Sequence, residues 1–282
     1  MSKIIQRLLV FFIGIPVIIG VIYIFPYKNH LVLHIMIIAV TFISALEMHN
    51  ILKNRLKMHN AMLTAALSTL TPVMAAVCAV FGLSTTLIAF TFIFSFLLIL
   101  VIDIFKPNDN NYAFSLSKIA SSLLILMYPG FLITFLSLMT IPEQSSRLLV
   151  VFMLMVFGCD SLAWVCGMTM GKGNRGLIAA SPNKSIAGFI GGMAGAVLVG
   201  GVSCFLFPDF FGLSIPRTCF LGFFTACAAI LGDLAESVFK RSGEIKDSGT
   251  IIPGRGGLLD SIDSILMSAP VFYVCAVIMY GV

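Results

Sequence analysis

The chain is 282 residues long, 59% apolar and only 10% charged, with a mean hydropathy of +1.08. Soluble chains carry about 25% charged residues, and 17 basic with 12 acidic side chains cannot cover a soluble surface of this size. Disorder, a collagen-like fibre and a disulfide-stapled scaffold are excluded with it, and the scattered net charge of +5 reads as membrane orientation rather than a nucleic-acid footprint. The cysteines at 78, 159, 166, 204, 219, 227 and 275 all lie in apolar stretches without a CxxC pair, as small buried apolar residues do.

A membrane-crossing helix needs about 20 mostly apolar residues. Nine such runs follow one another, at roughly 5–25, 31–51, 61–81, 84–102, 119–139, 148–170, 186–207, 218–239 and 262–281. The first is long and weakly followed by small residues, so it reads as a retained helix rather than a cleaved signal, kinked at Pro16. No repeat or soluble insertion separates the runs. The expected fold is therefore all-α: a polytopic integral membrane protein with about nine transmembrane helices and its N-terminus cytoplasmic. It forms a single membrane domain, 1–282, whose helices over 1–140 are less specific than the motif-bearing half, 147–282.

Orientation follows from the basic residues. Fourteen of the 17, from Lys3 and Arg7 to Lys246 and Arg255, fall on the N-terminus and the even loops; the odd loops carry only Lys28, Arg147 and Arg217. That bias puts the N-terminus and loops two, four, six and eight in the cytoplasm and Val282 outside. Loop six reads GKGNRGLIAASPNKS and loop eight KRSGEIKDSGTIIPGRGGLLD. The other connections are short and bland.

Several of the few acidic residues lie at membrane depth, where an unpartnered carboxylate costs several kcal/mol. Asp160 is central in span six. Asp233 and Glu236 lie in span eight, on one helical face with Ser237 and Lys240, because spacings of 3, 4 and 7 realign on a 3.6-residue turn. Asp260 and Asp263 share a face at the start of span nine. Carboxylates and cations concentrated this way point to a divalent metal and phosphate: Mg2+ takes oxygen ligands from one or two carboxylates plus substrate phosphates, and Lys and Arg hold the remaining phosphate charge. The alternative is an ion-pair network packing two helices, and Asp160 could simply bond to neighbouring helices. Glu47, at the cytoplasmic end of span two, reads as a boundary residue. His30, His34, His49 and His59 all precede residue 60 and none accompanies the charged cluster, which argues against a histidine base or a zinc site there.

The stretch SVFKRSGEIKDSGTIIPGRGGLLDSID, Ser237 to Asp263, resembles the signature of the phosphatidate cytidylyltransferases. Ser237, Lys240, Arg241, Lys246, Asp247, Gly249, Pro253, Gly256, Gly257, Asp260 and Asp263 all match its pattern. The LGD around Asp233 precedes it at the family's spacing. The SPNKS of loop six is similar to the family's SPxKT element, and the DSLAW that begins at Asp160 to its DTxAY element. The likeness covers the last 120 or so residues; the first 140 agree only in hydropathy. Arg255 stands where the family commonly has His, and Ser261 where it commonly has Arg.

The resemblance implies transfer of cytidylyl from CTP to phosphatidate, giving CDP-diacylglycerol and pyrophosphate. On that reading Asp233, Asp260 and Asp263 are assigned to metal, and these with Lys240 and Arg241 form the catalytic set. Lys246 and Arg255 join Lys240 and Arg241 on the triphosphate and lipid phosphate. Ser181, Asn183, Lys184 and Ser185 make a second phosphate-binding edge; Asp160, Ser237, Gly256 and Gly257 line the substrate, and Asp247 serves the metal or orients Lys246. The implied cofactor is Mg2+, with a second, monovalent cation left open. The implied partners are CTP, phosphatidate and membrane lipid, with no nucleic acid and with a homodimer left open, in a bacterial inner (cytoplasmic) membrane with the site facing the cytoplasm. A transporter of an anionic solute and another lipid phosphotransferase are the rival readings; the first lacks an internal repeat, and the second lacks the DG…AR…G…D…D spacing of CDP-alcohol phosphotransferases.

Overall fold

The computed structural model describes residues 3–105, 112–252, 254 and 256–282. In order the helices are α1 (Lys3–Ile24), α2 (Tyr27–Leu52), α3 (Ala61–Phe81), α4 (Thr86–Phe105), α5 (Ser115–Ile125), α6 (Thr134–Leu138), α7 (Ser145–Thr169), α8 (Ile186–Leu206), the short α9 (Pro208–Phe211), α10 (Ile215–Ser242) and α11 (Leu259–Tyr280). Among the described residues there is no strand, only two isolated bridges, Arg175 with Ser185 and Ile252 with Gly256. Among the described residues, eight segments are long and apolar enough to cross a membrane. They correspond to the second to ninth runs of the sequence, and the first run forms α1, with Pro16 inside it. The protein is an all-α polytopic membrane protein.

Local chemistry sets the helix ends. Asn60 caps α3, its side-chain oxygen accepting from the Met62 and Leu63 amides at 2.9 and 3.3 Å. At the other end Gly82 takes the left-handed conformation, φ 67°, that stops the helix. Ser185 caps α8 through the Gly188 amide, 3.0 Å away.

The fifth run departs from the expected single helix. It breaks into α5, a π-helical segment over Leu126–Phe131 and the short α6. Pro129 is the cause: it has no N–H to give the Ile125 carbonyl, and its ring crowds that oxygen. The carbonyl accepts from Ser68 Oγ of α3, 3.2 Å away. At membrane depth, where an unmet carbonyl would cost several kcal/mol, the hydroxyl from α3 adds a donor beside the bond of the π-helical turn.

The chain divides into two compact units. One holds Met1–Ile141 with Phe239–Ile262, the other Pro142–Val238 with Asp263–Val282. The first unit packs Leu67, Ile99 and Leu126 together, with a second cluster of Ala75, Cys78 and Ile88. Its histidines are tied into helix packing: His34 lies 3.2 Å from both Ser137 Oγ and Thr140 Oγ1, and His59 Nδ1 2.9 Å from Ser122 Oγ. Burial pushes the His59 imidazole below its usual value, against the opposing pull of Asp103. All seven cysteines are free thiols.

The second unit is organised by close approach of α7 and α8. Where lipid is as apolar as any side chain, helices associate through small residues that let backbones touch. Gly188, Gly191, Gly192 and Gly195 recur at helical spacing on α8. A β-carbon at Gly191 would come 2.5 Å from Cys166 Sγ, and one at Gly195 would collide with the Gly158 carbonyl oxygen. Phe152 and Phe272, both fully buried, meet at 5.0 Å between ring centroids.

Gly195→Ala should therefore destabilise the protein by about 1–3 kcal/mol, the usual cost of overpacking. Gly201→Ala, whose added carbon would find nothing nearer than Cys219 Sγ at 3.7 Å, should be neutral or slightly stabilising. Thermal unfolding of the two variants in detergent measures the contrast; equal shifts would mean that the glycine face does not set the helix spacing.

Candidate functional site

In the first unit, α10 ends on Lys240 and Arg241, cations suited to the negative end of a helix. The chain turns back there, the Ile245 amide donating to the Lys240 carbonyl at 2.9 Å and Glu244 taking φ 58°. The Lys240 ammonium lies 2.6 Å from Asp260 Oδ1. The other oxygen of Asp260 accepts from the Ser248 amide at 2.9 Å and the Gly257 amide at 2.7 Å. One buried carboxylate thus ties the end of α10, the middle of the loop and the start of α11. Between them Ile252 and Gly256 exchange both backbone bonds, at 2.8 and 3.0 Å. Gly256 has φ 117°, and an added β-carbon would strike the Asp260 carboxylate. No other residue fits there.

Glu47 on α2 completes this arrangement. It is buried, and its two oxygens accept from Leu258 N at 3.0 Å, Leu259 N at 2.7 Å and Ser248 Oγ at 3.0 Å. These amides open α11 and lack intrahelical partners, so a glutamate from a helix two hundred residues away caps α11. The sequence reading as a boundary residue is corrected here. A lone glutamate at the end of an apolar run was the only signal, and nothing local names its partners.

In the second unit, Lys184 of loop six lies 2.5 Å from Asp233 on α10. Loop six is held by its own backbone: the Arg175–Ser185 bridge, Ser181 N to Ile178 O at 3.0 Å and Lys184 N to Ser181 O at 3.1 Å. Asp263 is buried, with Oδ1 accepting from the Ser264 amide at 2.6 Å; Ser264 Oγ in turn donates to Asp160 Oδ1 at 3.4 Å. Asp160, Asp233 and the fully buried Glu236 lie close enough for their charges to act on Asp263. The α10 backbone approaches closely at Gly232, where a β-carbon would collide with the Asp263 carbonyl.

The sequence-named residues thus fall into two groups. Lys240, Asp260, Gly256 and Gly257 come together in the first unit, with Arg241, Lys246 and Asp247 exposed on the same segment. Asp160, Lys184, Asp233 and Asp263 belong to the second, along with Ser185, whose hydroxyl is the α8 cap, the buried Ser237, and Ser181 and Asn183 on loop six. Arg255 and Pro253 lie outside the described residues. Two carboxylates assigned to metal, Asp233 and Asp260, each hold a lysine. Among the described residues no three His, Cys, Asp or Glu side chains form a ready-made metal cage.

Because the side chains of Lys240 and Asp260 are 14% and 6% exposed, removing one leaves the charge of the other less compensated in a largely buried setting. Asp260→Asn and Lys240→Met should each cost about 3–5 kcal/mol, and the double substitution less than the sum of the two. Additive losses in denaturant unfolding would show that the pair is not coupled.

A model of the family described as cytidylyltransferase matches residues 5–279. A phosphatidate cytidylyltransferase of Thermotoga maritima is 35% identical over 187 residues, 64% of this chain and 67% of that protein. Another, of Rickettsia felis, is 33% identical over 170 residues, 58% and 72% of the two chains. One from Staphylococcus haemolyticus is 40% identical over 126 residues, 45% and 47%, so the chain matches about half the length of that relative. The family match begins within α1 and ends within α11, taking in both units and the charged loop that joins α10 to α11: the chain belongs to the cytidylyltransferase family.

Proposed function

We propose that the protein is a phosphatidate cytidylyltransferase, making CDP-diacylglycerol and pyrophosphate from CTP and phosphatidate. The observation that carries this reading is the loop between α10 and α11, where the Lys240 ammonium and the Ser248 and Gly257 amides converge on one carboxylate oxygen pair. Donors arranged this way hold anionic oxygen, and they sit in the segment that matches the family's signature. An oxygen of the phosphatidate phosphate attacks the α-phosphorus of CTP, and the bond from that phosphorus to the β-phosphate bridging oxygen breaks. The nucleophile is already anionic, so no proton need be removed, in keeping with histidines that are occupied in helix packing. Lys240, Arg241, Lys246 and Arg255 bind phosphate charge, with Lys184, Ser181, Asn183 and Ser185 as a second edge; catalysis then rests on positioning and charge neutralisation.

Mg2+ fits the second unit by charge. Asp160, Asp233 and Glu236 lie close enough to act on Asp263, and Lys184 pairs with Asp233; a divalent ion would relieve crowding of acidic groups there. Asp233 and Asp263 would hold it, and Asp260, the third carboxylate assigned, keeps Lys240 and two loop amides as its partners. A closed protein cage is not required, because Mg2+ commonly keeps waters and takes substrate phosphate. When bound it supplies neutralisation of charge on the transferring phosphoryl group. The orientation proposed is loops two, four, six and eight in the cytoplasm of a bacterial inner membrane, where CTP is available.

Two measurements test this. Purified protein in detergent should convert phosphatidate and CTP to CDP-diacylglycerol with stoichiometric pyrophosphate when Mg2+ is supplied; no CTP-dependent lipid product would overturn the assignment. Cysteines introduced by Met58→Cys and Thr250→Cys should be labelled in intact cells only by a membrane-permeant reagent. Reaction of either with an impermeant reagent would place the charged loop on the wrong side for CTP.

A further inference from the structure

Glu47 lies in the half of the chain that the signature does not reach, yet its carboxylate is inserted into the signature loop. It meets that loop at three donors, Ser248 Oγ, Leu258 N and Leu259 N. It also accounts for two signature glycines: a β-carbon at Gly249 would lie 2.5 Å from Glu47 Oε1, and one at Gly257 would lie 2.5 Å from Glu47 Oε2. At Gly249 the carboxylate is the nearest obstacle, and at Gly257 it shares the space with Ser248 Oγ, which a β-carbon would meet first. Asp260, the carboxylate that Lys240 holds, follows directly on Leu259 and is set in space by the same turn of backbone. Two further contacts fasten the same end of α2 to the same loop: Asn54 donates to the Gly243 carbonyl at 2.9 Å, and Arg55 pairs with Glu244.

We infer that Glu47 is a positioning residue for the reaction, clamping the glycine-bearing loop and the first turn of α11 so that Lys240, Asp260 and the loop amides keep the spacing phosphate binding needs. The role rests on the cytidylyltransfer reading above; the clamp itself does not. Glu47 touches no substrate in this scheme. Both of its oxygens accept hydrogen bonds from the loop, so its contribution is to hold the geometry rather than to bind phosphate, which its charge would repel. A misplacement of about 1 Å in such a constellation costs on the order of a hundredfold in rate.

Glu47→Gln is the informative change, because it keeps shape while turning one acceptor into a donor aimed at other donors. In the full-length protein in detergent, amide hydrogen exchange at Ser248, Leu258 and Leu259 should rise at least about tenfold, with α7 and α8 unchanged. The kcat for CDP-diacylglycerol formation should fall about tenfold to a hundredfold, with the KM for phosphatidate within about twofold of the parent. Ser248→Ala, which removes one of three contacts, should shift both readouts in the same direction by less and serves if Glu47→Gln does not fold. Gly249→Ala should impair the parent and cost less in a Glu47→Ala background, where its nearest obstacle is gone and the Gly257 Cα at 3.2 Å remains. Unchanged loop exchange would overturn the clamp. Raised exchange with parental kcat would reduce Glu47 to a structural anchor and overturn its positioning role. If the parent itself makes no lipid product, the reaction reading fails by its own assay, while the exchange measurement still decides whether Glu47 holds the loop.

Discussion

The structure depends on how the backbone between α10 and α11 is satisfied. This segment has few apolar side chains to bury, and Ile251, one of them, is exposed, so packing cannot order it. Its shape comes from two carboxylates that collect backbone donors. Glu47 takes the Leu258 and Leu259 amides, and Asp260 takes those of Ser248 and Gly257. Charge-assisted bonds of this kind are about twice as strong as neutral ones, and the N-terminus of α11 adds its dipole in the same sense. The glycines follow from that arrangement, since carboxylates that reach the backbone leave no room for side chains.

Elsewhere the chain solves the opposite problem, which is holding apolar helices together in an apolar solvent. The answer is again backbone proximity, reached through small residues instead of polar ones. Gly195 rests on the Gly158 carbonyl, and Gly222 on that of Ala196. The two solutions meet along α10. Its first half presents Gly222 to α8, while its last turns carry Asp233, Glu236 and Lys240. A single helix thus passes from packing that needs no charge to positions that exist for charge.

Much of this was legible in the sequence. Hydropathy alone places the spans, because twenty apolar residues in a row have few other uses, and the spacing of Asp233, Glu236, Ser237 and Lys240 matches the unbroken α10. The charged loop and its glycines stand out in the sequence because charges are so scarce elsewhere. What could not be read depends on partners far away in the chain. The Glu47–Leu259 contact spans 212 residues, and no periodicity within α2 announces it. The break at Pro129 illustrates the same limit: the proline shows that a donor is lost, but only the fold shows that Ser68 adds one. Lys184 and Asp233 suggest separate tasks in the sequence, and their pairing across 2.5 Å emerges only when loop six returns to α10.

The two lysine–carboxylate pairs also bear on the phosphate-binding role proposed for the charged segments. Lys240 is paired with Asp260 and Lys184 with Asp233, both at modest exposure. A carboxylate and a phosphate present similar anionic oxygens to a donor. An ammonium and two amides that already surround one are therefore also placed to receive the other, with little reorganisation of the loop. A network that fastens helices and the phosphate site proposed above therefore call for the same donors.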